Sequence, residues 1–222
     1  MATFAARGSQ KWLQISIDQK PEILLAALRE SGALAAGETV VWKSPLKESR
    51  PPFRELKDTE ALEAVGVTKF RTQLEEFWPR RGPVWDAVGV TSAASPVFVE
   101  AKAHISEAAS PATKASEASK KLIQDSLTKA RSHFARRSKC DWSCNFYQYA
   151  NRLAYHFFLR KLNDVPSKLV FLYFLNDQDL NEPANEDQWR GAIRLIHSVL
   201  GIPPDLSSRA IFDAFVDVRA LI

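Results

Sequence analysis

Hydrophobic and polar residues follow two main spacings along the chain, and together they predict an α/β protein. Apolar residues recur three and four positions apart in 21–34 and in Asn145–Leu162, which predicts two amphipathic helices. The segment Lys168–Leu175 is apolar on both faces, as is typical of a central strand buried on each side. Ile211–Val218 alternates apolar with polar residues and predicts a last edge strand.

Shorter patterns predict the remaining elements. Alternation over 12–17 predicts an edge strand, and β-branched residues over 39–44 predict another strand. Apolar stripes at helical spacing predict helices over 59–65, 68–78, 110–134 and 187–200. The two short helices within 57–78 lie between predicted strands, so they form a helical insertion.

The most informative stretch is a hairpin that carries charges in an apolar setting. Two apolar runs, Val84–Val90 and Val97–Ala103, flank a Thr-Ser-Ala-Ala-Ser-Pro turn. Because side chains alternate faces along a strand, Glu100 and Lys102 share one face with Phe98 and His104. Folding the hairpin about its turn brings Asp86 opposite Ala101 or one residue away, and therefore beside this charged pair.

Charges at such positions require a partner, because burial of an unpaired charge is costly. Two neighbouring carboxylates repel each other and raise one pKa unless a cation lies between them. A divalent ion meets this need, and Mg²⁺ prefers carboxylate oxygens. A lysine beside them can hold a phosphate or orient a water, so the group favours metal-assisted phosphodiester hydrolysis.

The spacing of these residues resembles the PD-(D/E)XK nuclease superfamily: Asp86, thirteen intervening residues, then Glu100-Ala101-Lys102. The superfamily usually has proline directly before the aspartate. Here Trp85 occupies that position, and Pro83 lies two residues before Trp85. The resemblance implies a restriction-endonuclease-like fold, which is a three-layer sandwich with a central mixed β-sheet flanked by helices. It also implies one domain over residues 1–222, with the insertion at about 57–78.

The resemblance further implies a hydrolase that cuts nucleic acid, DNA being the expected substrate, with Mg²⁺ or Mn²⁺. Asp86 and Glu100 would hold the metal, with the Ala101 carbonyl as a further ligand, and Lys102 would position or activate the attacking water. Two alternatives stay open. One is a nucleic-acid-binding or complex-forming module on the same fold with weak or lost catalysis, and the other is an interaction protein in which these charges form a structural ion pair.

Six further residues are accessory candidates for the same site. The superfamily often takes another glutamate from its first helix, and its exonuclease branch has a Q-x-x-x-Y element on a later helix, where this chain has arginine at the last position. Each candidate also has an alternative role outside the site, such as a solvated charge, a turn serine or a structural histidine. The candidates are Glu22, Glu30, Ser44, His104, Gln148 and Arg152.

Basic residues provide candidate contacts to phosphates. The net charge is +4 and the pI about 9.1, which is compatible with nucleic acid and also with other partners. Arg80 and Arg81 directly precede the hairpin, and Arg136, Arg137 and Lys139 follow the predicted helix over 110–134. The alternative is a solvated basic surface.

The chain carries no apolar run long enough to span a membrane and no apolar leader at its start, so we expect a cytoplasmic protein that does not contact membrane. Cys140 and Cys144 lack the second ligand pair of a zinc site, so reduced thiols are expected. Many nucleases of the superfamily dimerise, so a homodimer is a candidate state.

Overall fold

A mixed β-sheet lies at the centre of the molecule. The computed structural model describes residues 3–135, 137–179 and 182–222. Within these residues, five strands form the central sheet: β1 (Val40–Ser44), β4 (Ala87–Thr91), β5 (Pro96–Lys102), β6 (Lys168–Leu175) and β7 (Ile211–Asp217). A separate antiparallel ribbon pairs β2 (Leu56–Lys57) with β3 (Val84–Trp85).

The strand order in the sheet is β1-β4-β5-β6-β7. β4 pairs antiparallel with β1 on one side and with β5 on the other, and β6 and β7 continue the sheet in parallel with β5. Seven of the eight β6 residues are buried, which confirms the prediction of a central strand. The predicted edge strand at the end of the chain is also confirmed, as β7.

Helices flank both faces of this sheet, as the sequence predicted. They are α1 (Gly8–Asp18), α2 (Pro21–Glu30), α3 (Asp58–Ala64), α4 (Arg71–Phe77), α5 (Ile105–Ala108), α6 (Glu117–Phe134), α7 (Tyr147–Phe157) and α8 (Glu186–Leu200). One apolar cluster joins α1 and α2 to the sheet, and a second joins α3, α4, α6, α7 and α8 to its other face. No helix among the described residues is both long and apolar enough to cross a membrane.

The two faces of β5 differ as the alternation predicted. Val97, Val99 and Ala101 belong to the apolar cluster beneath α1 and α2. Phe98 belongs to the opposite cluster, where its ring packs 5.4 Å from that of Tyr155 on α7. The strand therefore presents its charged side chains towards α7.

Some predicted elements are wrong or misplaced. Residues 12–17 are not an edge strand but part of α1, in which Trp12, Leu13 and Ser16 are buried at helical spacing. A run of six residues with this pattern is compatible with a strand or with a helix, and here packing against the sheet favours the helix. The helix predicted from residue 110 begins only at Glu117, because the Ser116 side chain caps it by accepting the Ser119 N–H. Cys140 and Cys144 are free thiols, as predicted.

Candidate active site

Asp86 lies at a bend between β3 and β4, next to the charged face of β5. Ala87 pairs with Val99, so the following pair in the same register is Asp86 with Glu100. The backbone N–H of Ala101 donates a hydrogen bond of 2.7 Å to Asp86 Oδ2. The hairpin therefore places the two carboxylates side by side. Asp86 lies opposite Glu100, one residue away from the position opposite Ala101.

Glu100 is balanced by two cations. Its side chain is buried, and only 3% of the residue is exposed. Lys102 Nζ lies 2.6 Å from Glu100 Oε1, and Arg152 Nε donates a hydrogen bond of 2.6 Å to Glu100 Oε2. The Nη2 atom of Arg152 also forms an ion pair with Oε2. Such charge-assisted contacts fix the carboxylate in place.

Arg152 is itself held by the elements around it. It donates hydrogen bonds of 2.7 Å to the Asn151 side-chain oxygen and 2.7 Å to the Val84 carbonyl. Its guanidinium carbon also lies 4.8 Å from the centre of the Trp85 ring. Arg152 therefore ties α7 to β3 as well as to Glu100.

Gln148 lies one helical turn before Arg152 on α7. Lys102 donates a hydrogen bond of 3.2 Å to its side-chain oxygen, and the Lys102 side chain is only 15% exposed. Of the six accessory candidates, Gln148 and Arg152 are thus the two that the structure brings into contact with the charged triad. The first contacts the lysine and the second contacts the glutamate.

The pKa values of the carboxyl groups diverge because their surroundings differ. Burial raises the pKa of Asp86 to about 8, and the charge of Glu100 adds to this rise. Burial also acts upward on Glu100, but Arg152 and Lys102 outweigh it and lower the pKa of that carboxyl. At neutral pH without a metal, Asp86 is therefore mainly protonated and Glu100 is ionised.

Lys102 stays charged for a related reason. Burial alone would lower the pKa of its ammonium group, but Glu100 and Asp86 outweigh this and raise it. A lysine in this state donates hydrogen bonds and attracts anions. Because it already holds its proton, it is suited to orient a water or a phosphate rather than to deprotonate one.

The donor atoms at this site fit a hard divalent cation. A carboxylate has about four lone-pair positions, and the protein hydrogen bonds to Asp86 and Glu100 leave some of these free. The available ligands are oxygens, which Mg²⁺ and Mn²⁺ prefer. Across the described parts of the chain, no group of three or more His, Cys, Asp or Glu residues is placed to hold a metal ion. An ion here would therefore have two carboxylates, with a backbone carbonyl and waters completing its shell.

Glu55 lies beside the site although its sequence context gives no sign of it. Leu56 pairs with Trp85 in the β2–β3 ribbon, so the next position along the ribbon brings Glu55 opposite Asp86. Gln10 on α1 donates a hydrogen bond of 3.1 Å to the Glu55 carboxyl. Burial raises the pKa of Glu55, and the negative charge of Glu100 adds to the rise.

The other accessory candidates, which all lie within the described residues, form no hydrogen bond or ion pair with Asp86, Glu100 or Lys102. Glu22 and Glu30 are exposed on α2, which covers the face of the sheet opposite to Glu100 and Lys102. The hydroxyl of Ser44 is buried without a hydrogen-bond partner, in a strand position that pairs with Val88.

His104 contacts Asp177 and Glu182 rather than Lys102. It lies beyond the last residue of β5 and is fully buried. Its Nε2 lies 2.9 Å from Asp177 Oδ2, and its Nδ1 lies 3.4 Å from the Glu182 carbonyl. The alternation of faces that placed it near Lys102 does not continue past the end of the strand.

The basic candidates separate into two places. Arg80 and Arg81 line a cleft of about 800 Å³ that extends to Gln148 and Arg152. Arg137 and Lys139 are exposed beyond the end of α6, which is about 16 Å from Ile123, the last α6 residue that lines the cleft, at ~1.5 Å per helical residue. Arg136 lies outside the described residues.

Comparison with protein-family models, characterised proteins and solved structures finds no significant match. The chemistry of the site therefore has to be argued from its own residues.

Proposed function

We propose that the protein is a Mg²⁺- or Mn²⁺-dependent nuclease of the PD-(D/E)XK type that hydrolyses phosphodiester bonds in nucleic acid, with DNA as the expected substrate. One observation carries the proposal. Asp86, Glu100 and Lys102 come from a bend and a strand, and they meet in a partly buried cluster next to a basic cleft. A helix and a strand, α2 and β1, precede the hairpin β4–β5 along the chain, which is the order of the superfamily's core and supports a restriction-endonuclease-like fold.

Asp86 and Glu100 would hold the metal ion, with the Ala101 carbonyl as a further ligand. When bound, the ion supplies positive charge that stabilises the phosphate and the leaving oxygen as negative charge develops. Lys102 Nζ, which carries its proton, orients the attacking water against the phosphate. Gln148 fixes the direction of Lys102, and Arg152 keeps Glu100 ionised and in position.

A second candidate is a nucleic-acid-binding module that does not cut. The observation that favours it is the double neutralisation of Glu100 by Lys102 and Arg152, since this balance needs no metal. In this case the three residues form a structural ion cluster, and only the basic cleft would serve binding.

A cleavage panel separates the two. Labelled single-stranded, duplex and branched DNA and RNA are incubated with Mg²⁺, with Mn²⁺ or with EDTA. We expect wild-type protein to cut with metal only, and Lys102→Ala, which loses a positioned hydrogen-bond donor, to lose about 10²–10³-fold in turnover while Mn²⁺ still raises its melting temperature.

Lys168→Ala is a matched control. Lys168 lies 3.0 Å from the Glu38 carboxylate, and both side chains are largely buried, but this pair lies at the start of β6, away from the carboxylate cluster. Cleavage by this variant should match wild type. If wild type cuts nothing on the panel, the binding module replaces the nuclease. If Lys102→Ala cuts as fast as wild type, the site assignment is wrong.

A further inference from the structure

The cleft beside the carboxylate cluster has two walls of different origin. One wall is the turn 79–84, which leads from α4 into β3, and the other is the segment 110–116, which leads into α6. Its volume of about 800 Å³ lies within the range of pockets that hold small organic ligands, roughly 300–1,000 Å³. A duplex, whose major groove alone is about 12 Å wide, is larger than a cavity of about 800 Å³, so a nucleic acid that enters this cavity does so as part of a single strand.

Its lining has one sign of charge. Arg80, Arg81, Lys114 and Arg152 line it, and none of the described lining residues is Asp or Glu. Hydroxyl groups of Ser and Thr residues complete the polar surface. Arg152 already forms an ion pair with Glu100, so the cationic side chains available to a ligand are those of the two walls. Such a surface attracts an anion.

The arginine wall is held in position by a carboxylate behind it. Asp58 accepts hydrogen bonds of 2.8 Å from the backbone N–H groups of both Arg81 and Gly82. These bonds hold Arg81 at a φ of 79°, in the left-handed region that non-glycine residues seldom adopt. Arg80 is 80% exposed in its side chain and pairs only at the rim, 3.3 Å from Glu75. The turn therefore presents two cations from a fixed backbone.

Gln148 connects the cleft with the carboxylate cluster. It lines the cleft, its side chain accepts a hydrogen bond from Lys102, and its backbone N–H donates one of 2.9 Å to Ser110 in the opposite wall. A phosphate at this end of the cleft therefore lies beside Lys102. Tyr147, which is partly buried against the apolar cluster, lines the same cleft, and stacking on an aromatic side chain is a contact that any base can make.

We propose that this cleft binds a single strand of nucleic acid and leads its sugar-phosphate backbone to the carboxylate cluster, an inference that rests on the proposed nuclease function. Arg81 and Lys114 contact successive phosphates from opposite walls. The contacts are to phosphates, and stacking tolerates every base, so binding shows no sequence preference.

Equilibrium binding without catalysis tests this proposal. The fluorescence anisotropy of a labelled oligothymidylate, an oligouridylate and a hairpin DNA duplex is measured in EDTA at several salt concentrations. The double variant Arg81→Ala/Lys114→Ala is compared with Lys43→Ala/Arg194→Ala, which loses the same charge from exposed positions on β1 and α8 that do not line the cleft. All four substituted residues are exposed, so both variants should fold, and circular dichroism verifies this.

We expect wild type to bind both single strands more tightly than the duplex. Log K falls with log salt, and each phosphate contact to a single strand contributes about 0.7 to the magnitude of this slope. The cleft variant should therefore have a slope about 1.4 smaller in magnitude than wild type, and the control should have the wild-type slope. DNA and RNA arms that differ would identify a sugar preference. Equal slopes in the two variants, tighter binding of the duplex, or equally tight binding of a phosphopeptide of the same charge would each overturn the proposal.

These outcomes are separate from those of the cleavage panel. If the protein binds single strands through the cleft but never cuts, the nuclease function is contradicted and single-strand binding in the cleft is supported. If the protein cuts but its cleft variant keeps the wild-type slope, single-strand binding in the cleft is contradicted and the nuclease function is supported.

Discussion

The protonation of Asp86 gives the sharpest test of the carboxylate cluster. Its pKa is about 8 in the folded protein and about 3.9 when unfolded. Between these values the folded state binds more protons than the unfolded state, so the free energy of unfolding falls as pH rises. The stabilisation is complete below about pH 4 and is lost as pH rises through about 8. For one proton the slope is about 1.4 kcal/mol per pH unit.

Asp86→Asn removes this titration but keeps a side-chain oxygen for the Ala101 N–H. Urea unfolding of both proteins in EDTA at pH 5, 6 and 7 measures the slope of each. We expect the wild-type slope to be more negative than that of Asp86→Asn by about 1.4 kcal/mol per pH unit. Other groups that titrate in this range, such as Asp213 and His156, contribute equally to both proteins and cancel in the difference.

Addition of Mn²⁺ at pH 7 extends the same experiment. A cation favours the ionised form of both carboxylates, so Mn²⁺ should raise the unfolding free energy of wild type and leave Asp86→Asn nearly unchanged. Asp213→Asn is the matched control, because burial raises the pKa of Asp213 to about 6 at a site on β7. It should keep the full Mn²⁺ response. Equal pH slopes in wild type and Asp86→Asn would refute the raised pKa of Asp86, and with it the effect of burial and of the Glu100 charge on this carboxyl.

Three further predictions follow from neighbouring contacts. Arg152→Met leaves Glu100 buried with one cation and should lower the free energy of unfolding by about 3–5 kcal/mol in urea titrations; a loss under 1 kcal/mol would show that water replaces the guanidinium. Glu55→Gln removes a carboxylate near Glu100, so in EDTA it should stabilise the protein more at pH 8 than at pH 4, and an equal effect at both would contradict this. His104→Ala leaves Asp177 buried without its partner and should lower the melting temperature, while the Mn²⁺-induced rise stays as in wild type; loss of that rise would place His104 in the site.

Local geometry explains what the sequence predicted of the site. A strand alternates faces with a period of two, so Glu100 and Lys102 had to share a side as soon as Pro96–Lys102 was extended. The short turn then limited Asp86 to one of two positions, and the structure takes the one beside Glu100. The predicted central strand rests on similar grounds, because continuous apolar residues require burial on both faces.

Contacts between distant segments explain what was missed. Glu55 reaches the site only because β2 pairs with β3 across the helical insertion, and two-residue strands leave no pattern in a sequence. The orientation of Arg152 depends on how α7 packs over the sheet, which helical spacing alone leaves open. His104 was misplaced because the end of β5 is set by its neighbours in the sheet and not by its own residues.

The insertion between β2 and β3 is closed at its base. Asp58 at its start binds backbone groups of Arg81 and Gly82, 23 and 24 residues later, and the two flanking strands pair directly beside it. A segment whose ends are already joined can change in length during evolution at little entropic cost, because the closure does not depend on what lies between. The segment between these closing contacts, which includes Arg80 of the cleft wall, can therefore be replaced while Asp86 and Glu100 keep their positions. The same base is a graft point for engineered variants, provided that the new segment retains the apolar face supplied by Leu62, Leu74 and Phe77.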